Sequence, residues 1–80
     1  MPLKIETEHK RNGYEIKKVT GFTAFELDQL NRMPYQDMKV RLLGMLDERN
    51  NGTGTMWQKE AGVYQMWVGA NEMYVEIGDI

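Results

Sequence analysis

The alternation of polar and apolar residues at the start of the chain predicts a β-hairpin over residues 1–20. Its turn is Asn12-Gly13, because a type I′ turn needs positive φ at both central positions and these two residue types adopt it readily. We therefore expect two short antiparallel strands that begin the domain.

The turn fixes which side chains face each other across the hairpin. Lys10 lies opposite Glu15 and Glu8 lies opposite Lys17, which sets two pairs of opposite charge on one face. The other face then carries the apolar side chains and one histidine, namely Leu3, Ile5, His9, Tyr14 and Ile16.

Residues 22–49 have the features of two helices that are separated at Pro34. Thr23 and Glu26 have the spacing of a capping box, which marks a helix start. The first helix is predicted over residues 24–32, because proline removes a backbone donor and restricts the preceding residue.

The second helix is predicted from Pro34 or Tyr35 to Arg49, with a stop at Asn50-Asn51-Gly52. Its apolar side chains recur at steps of three and four residues, which indicates one buried helical face. The residues on that face are Tyr35, Met38, Leu42, Met45, Leu46 and Arg49.

Residues 55–78 read as a three-stranded meander with strands at 55–59, 63–68 and 73–77. A four-residue loop between the last two strands places three pairs on a core face: Val68–Met73, Met66–Val75 and Tyr64–Ile77.

The opposite face of this meander carries Trp67 beside Tyr74 and Gln65 beside Glu76. A two-residue turn after the first strand adds Met56 beside Trp67, with Trp57 in the core.

The complete pattern predicts an α+β fold with the order β-β-α-α-β-β-β. We expect residues 1–80 to form a single small domain, in which two short helices cover one face of an antiparallel sheet.

Composition and charge narrow the class of protein without identifying it. The chain is 41% hydrophobic and 28% charged, as in ordinary globular proteins. There is no Lys or Arg after Lys59, so the last third is acidic and disfavours contact with a phosphate backbone. The apolar runs are too short for a membrane span and there is no cysteine, from which we expect a cytoplasmic protein.

The chemistry of common active sites is largely missing. The chain has no serine, no cysteine and a single histidine, His9, which excludes serine and cysteine nucleophiles and the usual cysteine–histidine zinc sites. Asp47 and Glu48 diverge on a helix and do not form a shared site. The glycine-rich segment 50–55 lacks the lysine of a P-loop and is expected to lead into a strand. We therefore expect a protein that is not an enzyme, with no cofactor and no metal.

The remaining positive signal is the second face of the predicted meander. Trp, Tyr and Met are enriched in the cores of protein interfaces, and Met56, Trp67 and Tyr74 would form such a core. The rim would be polar and acidic: Gln65, Glu72 and Glu76. This pattern predicts a small adaptor or inhibitor that binds a partner protein with a basic patch.

Two alternatives stay open at this point. The first is a nucleic-acid-binding protein that uses the basic hairpin, through Lys10, Arg11, Tyr14 and Lys18. The second is a homodimeric accessory protein in which the same aromatic face pairs with itself, with the edge of the last strand, residues 73–77, as a candidate contact.

Overall fold

The computed structural model describes residues 2–78, and within that range the chain forms four strands and three helices. The elements are β1 (Lys4–Arg11), β2 (Tyr14–Thr20), α1 (Ala24–Arg32), α2 (Tyr35–Arg49), α3 (Thr53–Glu60), β3 (Val63–Val68) and β4 (Met73–Gly78). The strands form one antiparallel sheet in the order β1-β2-β4-β3. This confirms the α+β class and the antiparallel sheet, and corrects the element order at α3.

The core lies between the helices and one face of the sheet. Strand side chains alternate between faces, so every second residue of β4 points to the helices: Met73, Val75 and Ile77 are all buried. Val19 of β2 and Met66 of β3 join them from the neighbouring strands. The helices contribute Leu30, Met38, Leu42, Leu43, Met45, Leu46 and Trp57.

Strand β4 lies inside the sheet, between β2 and β3. Its backbone groups therefore pair on both sides, and the predicted dimer contact along residues 73–77 is wrong. The edges of the sheet are β1 and β3. The hydroxyl of Tyr35 accepts a hydrogen bond from the Met66 amide at 3.2 Å, so α2 covers part of the β3 edge.

The first hairpin turns at Asn12-Gly13 as predicted, but the turn is of a different type. Gly13 has a φ of 87°, whereas in the described part of the chain the one non-glycine residue with positive φ is Asn51. A type I′ turn needs positive φ at both positions, so Asn12 excludes it.

A β-bulge in β1 changes which side chains share a face of this hairpin. Lys10 pairs with Glu15 as predicted, but the register shifts between Thr7 and His9, and Thr7 now lies opposite Lys17. Glu8 is the extra residue, and it forms an ion pair with Lys18 at 3.2 Å instead of facing Lys17. The predicted apolar face is split in consequence: Leu3 and Ile5 pack on the core, while His9, Tyr14 and Ile16 lie on the other side of the sheet.

The bounds of α1 and α2 are those predicted. Thr23 and Glu26 form the capping box, with both reciprocal hydrogen bonds present at 3.1 and 2.9 Å. At the end of α2 the Asn50 amide bonds both the N–H and the C=O of Leu3, which fixes the start of β1 to the helix layer.

Residues 53–60 form helix α3, so the predicted strand at 55–59 is wrong. Gly52 adopts a left-handed φ of 84° and reverses the chain so that α3 packs back along α2. Gly54 and Trp57, one helical turn apart, are buried in that contact. Trp57 is thus a core residue as predicted, but from a helix.

Asp47 of α2 caps the N-terminus of α3. Its carboxylate accepts hydrogen bonds from the Thr55 amide at 2.8 Å and from the Thr55 hydroxyl at 2.9 Å. Segment 50–55 therefore leads into a helix and not into a strand. The carboxylate occupies the position at which a helix N-terminus would hold an anion.

We expect Asp47→Ala to lower the free energy of unfolding by about 1 kcal/mol, because the substitution leaves the first turn of α3 without its acceptor. Urea unfolding followed by circular dichroism measures this. Glu48→Ala is the matched control, since Glu48 is exposed and should change the stability by less than about 0.5 kcal/mol. Equal effects of the two substitutions would contradict the capping role.

Candidate partner-binding face

One face of the sheet is free of helices across the described residues 2–78, and we call it the open face. The alternation in β2, β3 and β4 that sends Val19, Met66 and Val75 to the core sends their neighbours here. The side chains of the open face are Lys4, Glu6, Glu8, His9, Arg11, Tyr14, Ile16, Lys18, Thr20, Tyr64, Gln65, Trp67, Tyr74 and Glu76. Four of the chain's eight aromatic side chains are in this set.

Trp67 and Tyr74 lie side by side in β3 and β4, as predicted. Their rings stack with centroids 5.4 Å apart and planes 16° apart. Trp67 remains 37% exposed. Stacking therefore fixes the rings in place while leaving the indole in contact with solvent.

Glu72, in the loop between β3 and β4, holds the hydroxyl end of Tyr74. The Tyr74 hydroxyl donates to Glu72 Oε1 at 3.3 Å. Burial against its neighbours and the adjacent Glu72 carboxylate raise the pKa of Tyr74. The phenol thus stays protonated as a donor. A side chain at Gly69 would meet the Tyr74 ring at 2.7 Å, so this glycine lets the ring pack on the loop.

A second β-bulge adds Tyr64 to the open face. The β3–β4 register shifts between Val63 and Gln65, so Val63 and not Tyr64 lies opposite Ile77. Tyr64 is 53% exposed and is not the core residue predicted.

Gln65 and Glu76 form the predicted polar pair beside the rings. The Gln65 amide Nε2 donates to Glu76 Oε1 at 2.7 Å. The pair joins β3 to β4 on the open face and holds the carboxylate in one orientation.

The β1–β2 half of the open face contains ion pairs. Lys18 pairs with Glu8 at 3.2 Å, and Lys4 pairs with Glu6 at 3.2 Å. The hydrogen bond and charge of Glu8 raise the pKa of Lys18. These pairs neutralise Lys4 and Lys18, and Arg11 is a further cation of the β1–β2 half. The β3–β4 half carries the carboxylates of Glu72 and Glu76.

Met56 is absent from the open face, which corrects the predicted site. It lies on α3 and is 44% exposed, and α3 packs on the opposite side of the sheet from Trp67. Because residues 55–59 are helical, the cross-strand neighbour assigned to Trp67 does not exist.

The four residues of the predicted nucleic-acid site do not lie together. Lys10, Arg11 and Tyr14 surround the hairpin turn and line a cavity of about 230 Å³ there. Lys18 is four residues further along β2 and is paired with Glu8.

The other candidates for chemistry are dispersed over the molecule. His9 is exposed beside Tyr14, with ring centroids 6.3 Å apart, and Asp47 is engaged as a cap. Within the described range 2–78, no three His, Asp or Glu side chains are grouped closely enough to hold a metal ion. Over the same residues, no helix has both the length and the apolar character to cross a membrane.

Sequence reasoning missed Tyr64, Ile16 and Tyr14 as members of one surface with Trp67, because two bulges change the alternation. One signal for the second bulge is present in the sequence. Gly78 ends β4, and a glycine in a strand often marks a bulge or a close approach. Here Tyr64 approaches it, since a side chain at Gly78 would meet the Tyr64 ring at 2.7 Å.

Comparisons with protein-family models, with curated proteins and with solved structures find no match to this chain.

Proposed function

We propose that this chain is a non-enzymatic protein-binding module, of the adaptor or inhibitor type, that contacts its partner through the open face. The observation that carries the proposal is the stacked Trp67–Tyr74 pair on a sheet face without helices among residues 2–78. Rigid aromatic side chains supply large contact areas at little entropic cost, and they are enriched in binding hot spots.

The polar surroundings of the pair support the same function. Gln65, Glu72 and Glu76 border the rings, as the rim of a protein interface does. The acidic β3–β4 half favours a partner with a basic patch and disfavours a phosphate backbone. We place the module in the cytoplasm, in keeping with its lack of cysteine.

The proposal is tested by site-specific photo-crosslinking in cells that express the protein. A crosslinking residue at Ile16, in the middle of the open face, should join the chain to a partner protein. The same residue at Val40 should not, because Val40 is 71% exposed on α2, in the helix layer.

We expect Trp67→Ala to weaken the captured contact by about tenfold, as loss of a central aromatic side chain does. Met56→Ala is the matched control, since it removes a comparably exposed apolar side chain from the helix layer and should leave binding unchanged. Circular dichroism establishes that both variants are folded. The proposal fails if Met56→Ala and not Trp67→Ala abolishes capture, or if Ile16 crosslinks only to a second copy of the chain.

A further inference from the structure

The open face contains a slot that is defined by Tyr14, Tyr64, Gln65 and Glu76. These four residues line a depression of about 390 Å³. Gly78 of β4 lies next to both tyrosines: a Cβ there would lie 2.7 Å from the Tyr64 ring and 3.0 Å from Tyr14 Cβ. The Tyr64 ring thus packs on the Gly78 backbone beside Tyr14, which a side chain at Gly78 would prevent.

The carboxylate of Glu76 lies at one end of the slot. Gln65 Nε2 bonds its Oε1 at 2.7 Å, and among residues 2–78 the second oxygen is left to accept from an external donor. Aromatic faces beside a fixed carboxylate form a site for a cation, because the ring quadrupole and the negative charge attract the same group.

The charges around the slot favour a cation from outside the chain. Residues 60–78 contain no Lys or Arg, so β3 and β4 supply no cation of their own. Lys18 is held by Glu8, and Arg11 lies on the β1 side of Tyr14, away from Tyr64.

We infer that the slot binds an arginine side chain of the partner protein, with its guanidinium on the Tyr64 ring and against the Glu76 carboxylate. A planar guanidinium suits this site better than an ammonium ion, since it stacks on a ring and still directs N–H groups to a carboxylate in the same plane. The inference rests on the proposed function and names the chemistry that the open face recognises.

The test uses three blocked pentapeptides and the ¹⁵N-labelled protein. Acetyl-Gly-Gly-Arg-Gly-Gly-amide should shift the amide signals of Tyr64, Gln65 and Glu76 at millimolar concentrations. The same peptide with citrulline in place of arginine has the same shape without the charge, and it should shift them at least about threefold less. The lysine peptide should also bind more weakly than the arginine peptide.

Substitutions locate the binding. Glu76→Gln and Tyr64→Ala should each weaken binding of the arginine peptide by about two- to fivefold. Arg11→Ala should leave binding of the arginine peptide intact or tighten it, because it removes a positive charge that repels the guanidinium of the peptide. Thr20→Ala is a matched control at the far end of β2, and it should have no effect.

Equal shifts with citrulline, unchanged binding by Glu76→Gln, or loss of binding in Arg11→Ala would each overturn the inference. Binding of single-stranded oligothymidylate at the same signals, without binding of the arginine peptide, would overturn it in favour of a nucleic acid. If the arginine peptide does not shift the signals of the slot while Trp67→Ala still weakens capture of the crosslinked partner, the inference fails and the proposed function stands.

Discussion

Gly54→Ala should destabilise the protein by about 3 kcal/mol, the largest effect that we expect from a single methyl group in this chain. An added Cβ would lie 2.3 Å from the Leu43 carbonyl oxygen and 3.0 Å from its carbon. Both are backbone atoms of α2, so no side-chain rotation relieves the clash. Helices α2 and α3 would have to separate, and the burial of Trp57 would be lost with them.

Gly44→Ala is the matched control for this substitution. It is also a Gly→Ala change within a helix, but nothing lies within 4 Å of the added Cβ. Alanine is the better helix former, so we expect Gly44→Ala to stabilise the protein by about 0.5–1 kcal/mol.

Thermal and urea unfolding of the two variants should give shifts of opposite sign. For a domain of this size, about 3 kcal/mol corresponds to a fall in Tm of roughly 15 °C. A Gly54→Ala variant as stable as the original chain would contradict the close contact of α2 and α3. That result would instead favour the strand that the sequence pattern predicts for residues 55–59.

The helical structure of α3 could not be predicted from the sequence, because local signals do not determine it. The segment 53–60 includes two threonines and a glycine, which are weak helix formers, and Met56-Trp57 fits a strand as readily as a helix. What makes it helical is tertiary: the Asp47 cap and the contact of Gly54 with Leu43. The bounds of helices α1 and α2 were predictable to within about one residue, because the capping box and Pro34 are local signals.

The bulges limited the prediction of the site in a similar way. Side chains alternate with a period of two, so one extra residue moves the rest of a strand segment to the other face. The pairings of Trp67 with Tyr74 and of Gln65 with Glu76 were predictable, since they lie between the loop and the bulge. Beyond the bulge, at Tyr64, the predicted face was wrong, and the slot could not be seen.

Glu26→Gln should lower the free energy of unfolding at pH 7 by about 2 kcal/mol, and this loss should disappear at low pH. The Glu26 carboxylate accepts from the Thr23 amide in the capping box and from both terminal nitrogens of Arg49 at the end of α2. It therefore joins α1 to α2. Glutamine keeps the capping hydrogen bond, because its side-chain carbonyl accepts from Thr23. It removes the charge, and with it the second carboxylate oxygen that accepts from Arg49 Nη2, since an amide NH₂ only donates.

The pH dependence follows from the pKa of this group. Hydrogen bonds from Arg49 first, and from the Thr23 backbone second, lower the pKa of Glu26 from 4.5 to about 2. The stabilisation is then complete above pH 4.5 and is lost as the pH falls from 4.5 towards 2. The lowering of the pKa from 4.5 to about 2 corresponds to roughly 3 kcal/mol of free energy of unfolding. Solvent screening reduces it to about 2 kcal/mol, because the side chains of Glu26 and Arg49 are 20% and 26% exposed.

Urea unfolding of the original chain and of Glu26→Gln from pH 7 to pH 2 separates this carboxylate from the others. Glu15, whose pKa is lowered by its hydrogen bond with Lys17, titrates in both proteins and cancels in the difference. The two stabilities should differ by about 2 kcal/mol at pH 7 and by less than about 0.5 kcal/mol at pH 2, where Glu26 is largely losing its charge and comes to resemble glutamine. A difference that stayed constant with pH would assign the loss to packing, since an effect of the Glu26 charge must vanish when the carboxylate is protonated.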